Sequence, residues 1–463
     1  MKTFTKTIFV YFASIMLVIA LLSVDAHAET IFVSDIIDSD NAGYILYMQE
    51  HPDISIETGQ GTYGSISQMS SAMLTGQYQI DLIGFKTKSF NLPEIMEHQY
   101  LVDLSTSEVI RNAVERMHPA LANVGMIDGH IYAVPNRLTF SYIRVNESVW
   151  EENGMTLDDV PQSFPELLDF LEVWCERLDE GKVDAHVFGG FDTFYSKTSY
   201  SSKLVNLLVD SFIMQEQYAG HSLDFQNNEF LALLNRCLSV GKKLYELEPR
   251  ISESFGPGAP LFTQDAQMSW PQNADTILFL RLNDDQPKLI EATMGMFGIY
   301  AGSEKQELTI ELLERIVVGP ESPLTWNDTL LYMDAEPKIN NNYESSRQRH
   351  ETNIQKIEIA LQNSDLSASE RADLEDELEF EQERLAHAEL DENKYHINAS
   401  QLEDFRTYVN YLYFPTQNVF HKTDEGVDIV ESLKSRFVSG LLSADQFASE
   451  MTRIAIMIEM ENQ

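Results

Sequence analysis

The chain has 463 residues, which is too many for one hydrophobic core, so two or three domains are expected. It carries 73 acidic and 32 basic residues, and the formal net charge of −41 disfavours binding to nucleic acid or to anionic lipid surfaces. The charge says nothing about the fold, and solubility is its simplest consequence.

The first 28 residues have the three parts of an export signal. Lys2 and Lys6 give a basic start, residues 8–22 are apolar, and Ala26 and Ala28 occupy the small-residue positions of a cleavage site. The apolar run is shorter than the roughly 20 residues that span a bilayer. We expect cleavage after Ala28 and an exported protein, extracellular, on the cell surface or periplasmic, without an evident lipid-attachment cysteine. An uncleaved anchor is the alternative.

Strand and helix patterns alternate in the next segment. The order is a strand at 30–36, a helix at 42–51, a strand at 52–57, a helix at 65–76 and a strand at 79–85. This order predicts a parallel α/β sheet.

The stretch DGHIYAVPNRLTFSYIRVNESVWEENG, residues 128–154, begins as a turn and ends as a helix. Its middle is aromatic and β-branched, but it contains Pro135 and Arg137, which a core strand seldom has. We interpret it as a strand that crosses between two lobes. An edge strand within one domain is the alternative.

The two cysteines, Cys175 and Cys237, lie in apolar stretches with helical periodicity. An exported protein permits a disulfide between them. Two buried thiols fit as well, because cysteine is common in cores. The sequence leaves both possibilities open.

Residues 343–393 have the pattern of a charged helical hairpin. Ile354, Ile357 and Leu361 share one face before a turn, and Leu374 and Leu378 continue an apolar stripe after it. We expect a solvated structural insertion, with a partner-binding arm as the alternative.

Recognisable catalytic motifs are absent from the sequence. It contains no H-E-x-x-H, G-x-S-x-G or G-x-x-x-x-G-K-[ST], and its histidines lack metal-ligand spacing. We therefore predict a protein that is not an enzyme and that uses no cofactor or metal.

The sequence resembles the family 1 extracellular solute-binding proteins, the receptor components of bacterial ABC importers. Six stretches match in the family's order: MQEHPDISIE, MLTGQYQIDLIGF, EHQYLVDLS, the stretch at 128–154, VPQSFPELLDFLE and SGLLSADQFASEM. Phe164 stands where the family commonly has Trp, and the hairpin is an addition to the basic pattern. The absence of a lipid-attachment cysteine departs from Gram-positive members and puts membrane tethering in doubt.

The resemblance implies an α/β, two-lobed, type II periplasmic-binding-protein-like fold with interleaved lobes. The expected boundaries are 29–138 and 292–322 for lobe one, and 142–288 and 328–463, including the hairpin, for lobe two. The implied partners are a small solute, above all a sugar or oligosaccharide, and the ABC permease subunits at the membrane. We expect a monomer.

The predicted ligand site combines aromatic faces with charged groups, because a sugar needs a flat apolar face and directed hydrogen bonds. Ligands of open parallel sheets meet the loops at the carboxyl ends of the strands. The predicted ligand-binding residues are Tyr63, Phe85, Lys86, Arg137, Phe191, Asp192 and Trp270. Trp270 is expected at a strand end, with little core packing, where it would stack on a sugar ring.

Three other functions remain compatible with the sequence. The same two lobes could hold a polyamine or an anionic solute. A secreted carbohydrate-active enzyme would use a pair of carboxylates. An extracellular sensor module would use the hairpin as its contact arm.

Overall fold

The computed structural model describes residues 29–34, 42–59, 79–88, 92–183, 185–188, 198–247, 259–267, 270–318, 327–340, 342–362, 367–415, 420 and 424–461. The predicted export signal at 1–28 and the predicted helix at 65–76 lie outside these ranges. None of the described helices is long and apolar enough to cross a membrane.

The strands are β1 (Glu29–Val33), β2 (Ile54–Thr58), β3 (Leu82–Lys86), β4 (Met126–Ile127), β5 (His130–Ile131), β6 (Val134–Val145), β7 (Phe262–Gln267), β8 (Ile290–Ile299), β9 (Lys338–Ile339), β10 (Tyr395–Ile397) and β11 (Leu412–Tyr413). Seven of them form one sheet in the order β2–β1–β3–β8–β6–β7, with β11 beside β8. The pairs β1–β2 and β1–β3 are parallel, as predicted. The pairs β3–β8, β8–β6 and β6–β7 are antiparallel, so the sheet is mixed.

The helices are α1 (Ala42–Glu50), α2 (Leu92–Glu97), α3 (Glu108–Glu115), α4 (Pro119–Ala122), α5 (Glu147–Glu152), α6 (Phe164–Asp179), α7 (Ser199–Ala219), α8 (Asn228–Leu247), α9 (Gln306–Val318), α10 (Tyr343–Leu361), α11 (Ala368–Ala388), α12 (Asp391–Lys394), α13 (Ala399–Tyr408), α14 (Asp424–Val438) and α15 (Ala444–Glu461). The predicted hairpin is confirmed as α10 and α11.

The last helix, α15, shows how the sequence specifies an element. The Ser443 hydroxyl accepts the Gln446 N–H at 3.2 Å, and Gln446 Oε1 accepts the Ser443 N–H at 2.9 Å, so two of the helix's free donors are satisfied. Phe447, Met451 and Ile454 follow at helical spacing and are buried. The predicted closing helix is therefore confirmed together with its cap and its buried face.

The buried hydrophobic residues form two separate cores. The lobe-one core contains, among others, Ile31, Leu82, Met294, Leu313 and Phe405. The lobe-two core contains, among others, Trp174, Phe212, Cys237, Phe437 and Ile458. Two cores in one chain are the packing basis of the two-lobed fold.

Strand β6 passes from one core to the other. Leu138, Phe140 and Tyr142 belong to the lobe-one core, whereas Ile143 and Val145 belong to the lobe-two core. The stretch interpreted as a crossing strand therefore reaches both cores.

The packing of the segment after α9 differs from the prediction, which assigned all of residues 328–463 to lobe two. Leu330, Ile397 and Phe405 lie in the lobe-one core, and Phe420 is in the lobe-two core. The assignment of 328–463 as a whole to lobe two is therefore wrong, because Leu330, Ile397 and the buried apolar face of α13 pack in the lobe-one core. Among the described residues after α9, Phe420 and the helices α14 and α15 add to the lobe-two core.

Asp81, in the stretch that resembles the family's aspartate-containing strand, ties three segments of lobe one together. Its carboxylate accepts the Phe32 N–H at 2.8 Å and the Ser303 hydroxyl at 2.5 Å, and it lies 3.8 Å from Lys305 Nζ. A buried carboxylate needs such partners to offset its desolvation.

The two cysteines are not joined in a disulfide, and both are buried, in α6 and α8. Burial raises the pKa of the Cys237 thiol, so little thiolate is present at neutral pH. We expect neither thiol to react with Ellman's reagent in the native protein, and both to react after unfolding in denaturant without a reductant. Failure to react after unfolding would indicate a disulfide instead.

Candidate functional site

The candidate site is the polar face of β6, which reaches both cores, and of β8, which pairs with it. On β8, half-buried Glu291 and Thr293 alternate with buried Ala292 and Met294. This alternation is typical of a strand with one face in a core and one face open to solvent. The polar face of β8 continues to Gly295.

Strand β6 extends this polar face sideways. The register places Arg137, Thr139 and Ser141 opposite Gly295, Thr293 and Glu291, respectively. Directly opposed residues of antiparallel strands carry their side chains on the same face of the sheet. The polar residues of β6 and β8 therefore form one continuous surface.

This surface runs directly into lobe two. Because side chains alternate along a strand, Ile143 and Val145 lie on the same face of β6 as Ser141. Both belong to the lobe-two core. The polar face thus ends where lobe two begins, and a solute resting on it would lie at the junction of the lobes.

Two cations flank Gly295 on the polar face. Lys86 of β3 and Arg137 of β6 are both opposite this glycine, on its two sides. Strands are spaced about 4.8 Å apart, so the Cα atoms of the two cations are roughly 10 Å apart. Lys86 is exposed and Arg137 half-buried, and within the described ranges neither side chain makes a hydrogen bond or an ion pair. We call Lys86, Gly295 and Arg137 the cation notch.

Asn136 fills part of the notch. A β-bulge places Pro135 opposite Met296 and Arg137 opposite Gly295, which leaves Asn136 without a partner in the register. A Cβ atom on Gly295 would lie 2.8 Å from Asn136 Oδ1, so the carboxamide occupies the space where a side chain would be. That oxygen is buried and makes no hydrogen bond to the described protein. A buried acceptor without a donor is costly, and a ligand hydroxyl would satisfy it.

The other end of the polar face carries an ion pair and a tyrosine. Lys88 Nζ lies 3.0 Å from Glu291 Oε1. Tyr413 of β11 is beside Glu291, and burial, followed by the Glu291 carboxylate, raises the pKa of Tyr413 to about 12. Its hydroxyl donates to Gln217 Oε1 at 3.5 Å, and its ring meets the edge of Tyr218 at 5.9 Å. Both partners are at the end of α7 in lobe two, so Tyr413 connects the lobes beside the site.

The structure brings two of the seven predicted site residues together, namely Lys86 and Arg137. Tyr63, Phe191 and Asp192 lie outside the described residues, so their roles stay predictions.

The prediction that Phe85 faces the ligand is wrong. Phe85 is opposite Met296 and only 1% exposed, in the lobe-one core. Strand alternation explains this, because Lys86 faces outwards and its neighbour must face inwards.

The expected placement of Trp270 is wrong. Its ring is 1% exposed, in the lobe-one core, and its centroid lies 5.2 Å from those of Phe140 and Phe405. Gln401 Nε2 also donates to the Trp270 carbonyl at 2.8 Å. A segment without regular structure therefore still inserts its indole into a core, and no ring face is left for a sugar in this arrangement.

Several residues of the polar face escaped the sequence analysis. They are Asn136, Thr139, Thr293, Glu291, Gly295 and Tyr413. The signal was present for most of them, since polar residues occupy every second position in RLTFS and IEATMG. The bulge at Asn136 and the pairing of Tyr413 with β8 depend on long-range register.

Within the described ranges, no group of three or more His, Cys, Asp or Glu side chains is arranged to hold a metal ion. The chemistry offered by the polar face is therefore that of hydrogen bonding and charge.

Comparison with known proteins identifies the fold. No protein-family model matches the sequence, and no curated protein is significantly similar to it. Among solved structures, MsmE of Bacillus subtilis subsp. subtilis strain 168, in an open conformation, superposes with a TM-score of 0.54 at 11% identity, covering 94% of this chain and 99% of that one.

Two further solved structures are similar over nearly the whole chain. The GacH receptor of Streptomyces glaucescens, solved unliganded and with acarbose, has a TM-score of 0.48, 12% identity and coverages of 93% and 98%. The ABC substrate-binding protein Lmo0181 of Listeria monocytogenes, in complex with cycloalternan, has a TM-score of 0.47, 12% identity and coverages of 92% and 97%.

The likeness to MsmE, together with the two cores, shows the two-lobed periplasmic-binding-protein fold. The resemblance to family 1 solute-binding proteins is thereby confirmed at the level of the fold.

Proposed function

We propose that the protein is an exported receptor that encloses a small solute, a sugar or an oligosaccharide, between its lobes and delivers it to an ABC permease. The observation that carries this proposal is the polar face of β6 and β8, which ends where β6 enters the lobe-two core. No bond of the solute is made or broken; binding stabilises the closed arrangement of the lobes.

The polar face supplies the kind of contacts that a sugar needs. The hydroxyls of Thr139 and Ser141 can donate and accept, and Asn136 Oδ1 is an unsatisfied acceptor. Tyr413 adds an aromatic group at the edge that touches lobe two.

The cation notch favours a more specific solute within this class. Lys86 and Arg137 are free of carboxylate partners in the described structure, although acidic residues outnumber basic ones by 73 to 32. A solute carboxylate would supply the missing counter-charge, and a guanidinium can hold it with two parallel hydrogen bonds. We therefore favour an acidic sugar over a neutral one, and over a polyamine, which the two cations would repel.

A thermal-shift screen tests the proposal, with maltose, raffinose, galacturonate, glucuronate, spermidine and inorganic phosphate as probes. A ligand at 100 times its dissociation constant stabilises the folded state by about 2.7 kcal/mol, so true binders raise the melting temperature clearly. We expect an acidic sugar to give the largest increase and to be recovered chemically unchanged. A response to spermidine alone, or conversion of the sugar to a product, would contradict the receptor function as proposed.

A further inference from the structure

A second concave surface lies along the hairpin of α10 and α11 and is lined by residues other than those of the polar face. A groove of about 690 Å³ lies between α10, α11 and the β9–β10 ladder at the hairpin's base. Its lining includes Tyr343, Arg349, Phe380, Glu383, Arg384 and His387. We call it the hairpin groove. Its volume is in the range of small-molecule sites, about 300–1,000 Å³.

The charge of the groove is opposite to that of the chain. Two arginines and two histidines line it with a single carboxylate, that of Glu383, whereas the whole chain has a net charge of −41. Such a local reversal attracts anions.

Neither arginine of the groove forms an ion pair or a hydrogen bond with a carboxylate of the described residues. Within the described residues, Arg349 makes a single side-chain hydrogen bond, to the Ser346 hydroxyl at 3.5 Å. The Arg384 guanidinium lies 4.4 Å from the centroid of the Phe380 ring, which holds it by a cation–π contact. By contrast, Arg347 on the same helix pairs with Glu351 at 3.1 Å.

Two nearby carboxylates are hydrogen-bonded to residues that line the groove. Glu389 accepts the Tyr343 hydroxyl at 2.9 Å, and Glu381 lies 2.6 Å from His350 Nδ1. The hydrogen bond from His350 lowers the pKa of Glu381, so this carboxylate is ionised and held by its own partner. Tyr343 and His350 thus hold Glu389 and Glu381 by hydrogen bonds, and the charge of Arg384 also helps to lower the pKa of Glu381.

The base of the groove is fixed by backbone hydrogen bonds. The Asn340 N–H donates to the Lys394 carbonyl at 2.9 Å, and the Tyr343 N–H donates to the Asn340 carbonyl at 2.9 Å. Lys394 Nζ also lies 5.5 Å from the centroid of the Tyr343 ring. The residues at the base of the groove are therefore already ordered, which lowers the free-energy cost of binding a ligand there.

From this arrangement we infer that the hairpin groove is a second binding site, for a small ligand that carries an oxyanion. Arg349 and Arg384 hold the oxyanion, a carboxylate or a phosphate, because a planar guanidinium matches both. The rings of Tyr343 and Phe380 pack against the body of the ligand. This site is independent of the solute site on the polar face.

Calorimetric titration of the full chain with glucuronate, glucose 6-phosphate and neutral glucose tests the inference. We expect one or both acidic probes to bind and glucose not to bind; binding of glucuronate alone assigns a carboxylate, and binding of glucose 6-phosphate alone assigns a phosphate. Combining Arg349→Gln with Arg384→Gln should weaken that binding by roughly tenfold or more. Lys356→Gln, on the same helix but outside the lining of the groove, should leave it unchanged.

Three results would overturn the second site: no acidic probe binds at millimolar concentrations, Lys356→Gln weakens binding as much as the double substitution, or the double substitution has no effect. A titration of Arg137→Gln separates the two sites. Binding at the hairpin groove should survive this change, whereas binding that Arg137→Gln removes belongs to the polar face. All variants should keep the helical circular dichroism of the parent chain, because the substituted side chains lie outside both cores.

Discussion

Replacing Trp270 with Ala is expected to lower the free energy of unfolding of lobe one by about 3–5 kcal/mol, the usual cost of truncating a buried aromatic. The indole is 1% exposed and its ring contacts include Phe140, Tyr142, Phe405 and Tyr408. Its removal leaves a cavity that rigid aromatic neighbours cannot fill. Urea unfolding followed by circular dichroism measures the loss.

Trp270→Phe is the matched variant. The Trp270 Nε1 atom is buried without a hydrogen-bond acceptor in the described structure. Phenylalanine keeps part of the ring and removes this unsatisfied donor, so we expect a clearly smaller loss than for alanine. An unchanged unfolding curve for Trp270→Ala, accompanied by a large loss of sugar affinity, would instead restore the predicted stacking role.

Arg137→Gln should weaken the binding of an acidic sugar by about 10–100-fold, because a hydrogen bond to a charged group contributes roughly 1.5–3 kcal/mol. Galacturonate is the probe, and calorimetric titration is the measurement. Arg137 is half-buried beside Gly295 and has no carboxylate of its own within the described ranges. Stability should change little, since no ion pair is broken.

Arg144→Gln is the control for this substitution. Arg144 is on the same strand and is also half-buried. By strand alternation it points to the opposite face from Arg137. Equal losses of affinity for the two variants would show that net charge, and not the notch, attracts the solute.

The sequence predicts the hydrophobic periodicity of the helices well, but it predicts poorly which core each helix packs against. The caps and stripes of α15 and the two helices of the hairpin follow from local spacing. Which core an apolar stripe joins depends on tertiary packing, so Leu402 and Phe405 of α13 were assigned to the wrong lobe.

The candidate site, like the fold, was predictable from the sequence only in part. Lys86 and Arg137 stand out as cations beside strand residues, and the structure places them on either side of Gly295. The notch itself depends on a bulge at Asn136, which shifts the register by one residue and has no local sequence signal. The prediction that Trp270 lies outside the core failed, because the absence of regular secondary structure says nothing about burial.

Small-angle X-ray scattering tests the central claim, closure of the lobes on a solute, most directly. The radius of gyration is measured without solute and with a saturating concentration of the sugar that raises the melting temperature most. We expect the lobes to hinge where β6 leaves the lobe-one core, between Tyr142 and Ile143. The radius of gyration should therefore be smaller in the bound state. An unchanged radius at proven saturation would contradict the account and would indicate a rigid site that binds without closure.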